Sequence, residues 1–214
     1  MEKILHQIAN LLRKQNEHMI IGVSGHGGSG KTTFVKNLLT ELEGVNVNYI
    51  NTDPYIVSSH LRKHSSIQYE YNRETHQAKM TACHPDAHHL FALERDLKMV
   101  RERMPLYTMD VHYDRSRLIT PENNITLVEG MSVAFCHPGL FDILIYFYTD
   151  GETELNRRGI RDVTERGMDI GYLRKTHDER RIQYDLFMHP LHKNFDIVVK
   201  NSNHGYEVEK NLSR

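Results

Sequence analysis

Ile20-Ile21-Gly22-Val23-Ser24-Gly25-His26-Gly27-Gly28-Ser29-Gly30-Lys31-Thr32-Thr33 decides how the rest of this chain reads. Gly25, four intervening residues and Gly30-Lys31-Thr32 complete the pattern G-x-x-x-x-G-K-[ST]. Glycines in such a loop let backbone N–H groups turn inward around phosphate oxygens. Lys31 then reaches the β- and γ-phosphates, the Thr32 hydroxyl ligates Mg²⁺, and the positive end of the next helix adds to the field. Gly25, Gly27, Gly28, Ser29, Gly30, Lys31, Thr32 and Thr33 are therefore the candidate phosphate-binding residues. The flanks agree. Met19 to Val23 is a short apolar run of buried-strand type, and Phe34, Val35, Leu38, Leu39 and Leu42 follow at helical spacing. Strand, loop and helix in that order predict a nucleoside triphosphate site.

A length of 214 residues suits one α/β domain, or a domain with a small lid. With 27 basic and 28 acidic residues the net charge is -1, so no electrostatic case exists for nucleic acid. No apolar run approaches the ~20 residues that a membrane helix needs. Glu2 and His6 sit inside an amphipathic pattern unlike a signal peptide, and two cysteines, Cys83 and Cys136, fit a reducing cytoplasm. Fifteen histidines raise the question of a metal site, and His84 to His88 is a helical i, i+4 step. Without HExxH or paired CxxC, these read as solvated histidines at a helix start, and Mg²⁺ is the one metal expected.

Along the chain, residues 2–16 form an amphipathic helix through Ile4, Leu5, Ile8, Leu11 and Leu12. The helix after the loop runs to about Glu43, where Gly44 stops it. Val45 to Asn51 alternates as a second strand and ends at Thr52-Asp53-Pro54-Tyr55. A carboxylate at the carboxyl end of a strand points into the crevice where open α/β sheets bind ligands, which makes Asp53 a catalytic candidate. A plain turn aspartate before proline is the competing reading. Ile56 to Cys83 has no clear period and reads as a long functional loop. His84-Pro85-Asp86-Ala87 opens a helix with Leu90, Leu93, Leu97 and Val100 on one face. Ile125 to Gly130 is a third strand whose Glu129 takes the position of a Mg²⁺-orienting carboxylate. Phe141 to Tyr148 is a fourth strand, and Phe195 to Val199 a fifth, before a polar end. Between them lie a helix with Arg157, Arg158 and Arg161 and a long charged helix over about 168–188. The arginines either close over the triphosphate or pair with Glu154, Asp162 and Glu165 on a solvated face.

These segments resemble the uridine kinase and phosphoribulokinase family of P-loop kinases from about Ile20 to Val199. The motifs that carry the likeness are the opening strand and loop, His84-Pro85-Asp86-Ala87, Pro105-Leu106-Tyr107 with His112, Val128-Glu129-Gly130, and Arg157-Arg158-x-x-Arg161-Asp162-x-x-Glu165-Arg166-Gly167. The resemblance implies a three-layer α/β/α P-loop fold with a mainly parallel five-stranded sheet and a helical lid over about 152–170. It also implies an acceptor-covering segment over about 54–118, all in one domain. By the same likeness ATP with Mg²⁺ is the phosphoryl donor, and a nucleoside 5′-hydroxyl, of uridine or cytidine, is the acceptor. Asp53 is then the base; Lys31, Arg158 and Arg161 act on the transferred group; Thr32 and Glu129 hold the metal; and Tyr55, Cys83, Tyr107 and His112 meet the acceptor. The pattern departs at Cys83, where uridine kinases have an aspartate that bonds the ribose hydroxyls, and at Met168, where they have arginine. A sugar phosphate or a pantothenate-like alcohol is the alternative acceptor, and a non-catalytic ATP-binding regulator the alternative of another class. Oligomeric state, a homo-oligomer included, is left open.

Overall fold

Apolar residues of opposite parity along each central strand fall on opposite faces of one sheet, and that sorting builds the molecule. In the computed structural model the described residues are 1–15, 17–164, 167 and 169–212. The chain runs α1 (Glu2–Lys14), β1 (Met19–Gly25), α2 (Lys31–Glu41), β2 (Val47–Asn51), the single turn α3 (Ser59–Arg62), β3 (Ser66–Tyr71), β4 (Glu74–Lys79), α4 (Leu90–Arg101), β5 (Leu106–Tyr107), β6 (Leu118–Ile119), β7 (Ile125–Glu129), β8 (Ile143–Tyr148), α5 (Gly151–Thr164), α6 (Ile170–Gln183), β9 (Ile197–Ser202) and β10 (Gly205–Lys210). The main sheet has the order β10-β9-β8-β1-β7-β2. β1 sits between β7 and β8, and β2, β7, β1, β8 and β9 are mutually parallel.

Ile21, Val23, Leu127, Ile145, Phe147 and Val199 face α1 and α2, which bring Ile8, Leu12, Phe34 and Leu38. Ile20, Val128, Leu144, Tyr146 and Val198 face the other way, against Leu93 and Leu97 of α4 and against Tyr184 and Met188 after α6. Each fully buried aliphatic or aromatic side chain contributes ~1.5–3 kcal/mol, so two such layers explain why period-2 strands flanked by helices settle as α/β/α. No helix of the described residues is long and apolar enough to cross a membrane.

The five expected strands are all present, and the sheet gains a sixth. β10 pairs antiparallel with β9 through a two-residue turn at Asn203-His204. Its side chains are exposed along its whole length, so it carries no apolar signal. The stretch from Ile56 to Cys83 is not an irregular loop. It holds α3 and the β3–β4 hairpin, whose Asn72 and Arg73 both have positive φ, 53° and 66°. That is the geometry of a two-residue hairpin turn, made here without glycine. The hairpin lies against the end of α6, with the Tyr69 hydroxyl on Glu179 and its ring 5.6 Å from that of Phe187.

The histidines near Pro85 also differ from expectation. Pro85–Ala87 is a single 3-10 turn and α4 begins only at Leu90, so His84 and His88 share no helix face. His88 is 8% exposed rather than solvated. Its Nε2 donates to the Ala82 carbonyl at 3.0 Å, and its Nδ1 lies 2.8 Å from the Ser132 hydroxyl.

Candidate active site

The phosphate loop is shaped by what surrounds it. At Gly30, φ is +97°, and a Cβ there would stand 2.2 Å from Asn201 Nδ2. At Gly25 a Cβ would stand 2.0 Å from the Phe147 carbonyl oxygen. Only glycine fits either place. Asn201, on β9, donates its Nδ2 to the Ser29 carbonyl at 2.8 Å and so holds the loop from outside. The Ser29 hydroxyl is buried with no hydrogen-bond partner among the described residues, a spare polar group inside the loop.

Lys31 and Thr32 open α2 directly after the loop and face the end of β7. Thr32 Oγ1 donates to Glu129 Oε1 at 3.2 Å, and Lys31 Nζ lies 3.4 Å from the same oxygen. The Tyr49 hydroxyl donates to Glu129 Oε2 at 3.1 Å. Burial first, then the Glu129 charge, pushes the Tyr49 hydroxyl well above its ordinary range, so it stays a donor. One hydroxyl and one carboxylate oxygen at this spacing are hard ligands of the kind Mg²⁺ takes beside phosphate oxygens. With Lys31 and the glycine cradle they fit Mg·ATP.

Asp53 comes to the same place from β2. Its N–H donates to Asn51 Oδ1 at 3.1 Å, and its carbonyl accepts from the Tyr113 hydroxyl at 3.2 Å. The backbone is thus fixed, while no hydrogen bond or ion pair among the described residues engages the carboxylate. A cleft of ≈ 570 Å³ is lined by Lys31, Thr32, Asp53, Glu129, Arg157 and Arg161, among others. A second recess of ≈ 440 Å³ shares Lys36, Tyr49 and Asn51 with it and continues to Tyr113, Asp114 and Arg117.

The α5 arginines both pair and face the loop. Arg158 Nε lies 3.3 Å from Asp162, its Nη1 3.5 Å from Glu154, and Arg161 donates to Asp162 at 2.8 Å. Arg157 donates to the carbonyls of Gly28 and Asn201 at 3.2 and 3.0 Å. The expected partner Glu165, with Arg166 and Met168, lies outside the described residues. Four residues that the sequence reading did not single out for the site complete it. Glu154 is 1% exposed and accepts from Arg180 and Arg181, each at 3.1 Å, with His26 Nδ1 at 3.4 Å. Arg180 and Arg181 come from α6, thirteen and fourteen residues past Gly167, the end of the arginine motif, where no short pattern points. His26 lies inside the motif but in one of its unspecified positions.

The expected acceptor contacts do not gather. Tyr55 is fully buried, its hydroxyl bonded to Asp96 in the layer under α4. Burial and that bond push its hydroxyl far above its ordinary range. Cys83 is fully buried as well, and burial pushes its thiol up. Tyr107 is 68% exposed, and His112 is exposed with its ring 4.8 Å from that of Tyr113. Neither Tyr107 nor His112 lines the Asp53 cleft.

The profile of the Phosphoribulokinase / Uridine kinase family matches residues 20–205. A uridine kinase of Clostridium botulinum (strain Okra / Type B1) is 30% identical over 205 residues, covering 87% of this chain and 89% of that protein. A uridine kinase of Brevibacillus brevis is 28% identical over 189 residues, covering 83% and 78%. The structure of phosphoribulokinase from Rhodobacter spheroides superposes with a TM-score of 0.59 at 18% identity, over 87% of this chain and 71% of that one. The chain belongs to the Phosphoribulokinase / Uridine kinase family and is an ATP-dependent phosphotransferase with an alcohol group as acceptor.

Proposed function

We propose that the chain holds Mg·ATP on Gly25–Thr33 and phosphorylates a small-molecule hydroxyl delivered to Asp53. The observation that carries this reading is the shared cleft: an Asp53 carboxylate with no partner among the described residues, and Lys31, Thr32 and Glu129 lining the same space. Mg²⁺ held by Thr32 and Glu129 would neutralise charge on the phosphate oxygens. The acceptor hydroxyl oxygen bonds to the γ-phosphorus, the bond to the bridging β,γ oxygen breaks, ADP leaves, and the hydroxyl proton goes to Asp53. Lys31 and Arg161 supply positive charge from two sides, and Arg158 holds the lid carboxylates. Such a reaction needs positioning and charge more than covalent help.

The names of the relatives support a nucleoside acceptor, uridine. The geometry supports it less, because Cys83 is sealed and Tyr107 and His112 stand outside the cleft. A bare ATP-binding regulator has no use for an unpaired carboxylate at that position.

The test is ADP release with Mg·ATP against nucleosides, sugar phosphates and hydroxy acids. One alcohol stimulates release, release requires Mg²⁺, and Asp53→Asn lowers kcat ~10²-fold or more while the KM for ATP stays within about twofold. Full turnover in Asp53→Asn removes the base assignment, and ATP binding with no stimulation by any alcohol favours the regulator.

A further inference from the structure

The reaction just described makes no use of Tyr49, although its hydroxyl reaches into the Glu129 corner of the cleft. Tyr49 lies on β2, the strand at one end of the sheet. β2 runs parallel to β7 with Tyr49 opposite Leu127 and Asn51 opposite Glu129. Alternate residues of a strand line one face, so Tyr49 and Glu129 project to the same side, staggered along the strands. A phenol is long enough to cross that stagger, and its hydroxyl donates to Glu129 Oε2 at 3.1 Å. The other oxygen, Oε1, accepts from the Thr32 hydroxyl at 3.2 Å and faces Lys31 Nζ at 3.4 Å. The carboxylate is thus divided: one oxygen is held by the neighbouring strand, and one faces the phosphate loop.

The ring is fixed independently of that bond. It packs, with Val45 and Val47 of the same alternating stretch, against the apolar layer that α1 and α2 build. The Arg117 guanidinium stands over it, 5.4 Å from the ring centre. Arg117 in turn pairs with Asp114 at 3.2 Å, and Asp114 accepts from Asn51 Nδ2 at 2.7 Å. Asn51 Oδ1 receives the Asp53 N–H, so the segment that covers the ring is tied to the strand end that carries Asp53. Packing on this face asks only for an apolar side chain, which a phenylalanine supplies. The hydroxyl is additional, and its bond goes to Glu129.

A glutamate free to turn offers a cation one oxygen or two. Mg²⁺ demands near-ideal octahedral coordination, whereas Ca²⁺ is larger, takes more oxygens and accepts both from one carboxylate. A partner that fixes which oxygen faces the metal therefore favours one cation over the other.

We propose that Tyr49 is a positioning residue for Glu129: by holding Oε2 it leaves Oε1 alone to face the divalent cation of the nucleotide, and so sets the preference of the site for Mg²⁺ over Ca²⁺. This rests on the Mg·ATP reading above, to which it adds the residue that decides the metal-facing oxygen.

Tyr49→Phe keeps the ring and removes the hydroxyl. With the full chain and a non-hydrolysable ATP analogue, Mg²⁺ and Ca²⁺ are titrated separately by calorimetry. In the variant Mg²⁺ affinity falls ~10-fold or more, Ca²⁺ affinity does not fall, and binding of the analogue in a chelator is unchanged. An unchanged ratio of the two metal affinities, whether both fall together or neither moves, overturns the proposal. The same titrations in a Glu129→Ala background show through which group Tyr49 acts. Once the carboxylate is gone, Tyr49→Phe changes neither affinity further, and a further change there overturns the proposal. Glu129→Ala with the Mg²⁺ affinity of the wild type overturns the metal assignment and the Tyr49 role with it. An effect of Glu129→Ala without one of Tyr49→Phe overturns the Tyr49 role alone.

Discussion

The Glu154 carboxylate on α5 stands 3.4 Å from Nδ1 of His26 inside the phosphate loop, and both side chains are closed to solvent. The Thr149 N–H donates to His26 Nε2 at 3.0 Å, which leaves the ring proton on Nδ1, facing Glu154 and the Gly27 carbonyl at 2.9 Å. Burial opposes ionisation of Glu154, but the His26 hydrogen bond and the charges of Arg180 and Arg158 outweigh it and hold the carboxyl well below the usual carboxylate range. One carboxylate thus joins the loop, α5 and α6.

Glu154→Gln tests that junction. It leaves Arg180 and Arg181 short of a buried counter-charge, a change that costs ~3–5 kcal/mol when a buried pair is broken. The expected result is a fall in urea midpoint at pH 7.5 and a KM for ATP raised tenfold or more. An unchanged KM with lowered stability would confine Glu154 to a structural role.

Gly30→Ala and Gly44→Ala separate local strain from damage to the site. Both glycines have positive φ, +97° and +86°, so each substitution carries ~1–2 kcal/mol of backbone strain. Nothing lies within 4 Å of a Cβ at Gly44, whereas at Gly30 it meets Asn201. Gly44→Ala keeps its ATP affinity and loses a few degrees of thermal stability. Gly30→Ala loses nucleotide binding altogether, read by calorimetry with an ATP analogue.

Thr32→Val removes the hydroxyl paired with Glu129 and nearly preserves volume. The Mg²⁺ concentration for half-maximal activity rises tenfold or more, while nucleotide binding in the presence of a chelator is unchanged. Equal Mg²⁺ titration curves in the two proteins would assign the metal elsewhere.

Stability against pH follows the buried histidines. Burial lowers His88 from 6.5 to about 4, against the favourable bond to the Ala82 carbonyl, and also lowers His18, His84, His177 and His189. The native state therefore binds fewer protons than the unfolded chain between pH 4 and 6.5. The contribution of His88 is complete above pH 6.5 and is lost as pH falls towards 4, on the order of 3 kcal/mol in all. Urea midpoints measured from pH 7.5 to 4.5 fall with acidity. In His88→Gln the slope is shallower by close to one proton.

The phosphate loop was legible because its signal is local. Gly25, Gly30, Lys31 and Thr32 must occur at fixed spacing for backbone N–H groups to converge, and the five parallel strands announce themselves as apolar runs or, in β2, as apolar alternation. Asp53 and Glu129 were legible for a related reason: each ends a strand that the chain then leaves. β10 and the β3–β4 hairpin were not, since exposed strands need no apolar alternation and the Asn72-Arg73 turn lacks the glycine that usually marks one. Pro85 and Asp86 suggested a helix start, but the chain at His88 runs extended and buries that ring under Ser132.

By itself, then, the sequence determined the donor half of this protein: strand, loop and helix of the phosphate-loop pattern, with carboxylates where the chain leaves β2 and β7. Only the tertiary structure decided that Arg180 shares Glu154 with Arg181 and His26, and that Tyr55 and Cys83 are sealed. The physical reason is range. Phosphate is gripped by consecutive backbone groups within one loop, whereas the charges around Glu154 come from α5 and α6, and only packing sets their distances.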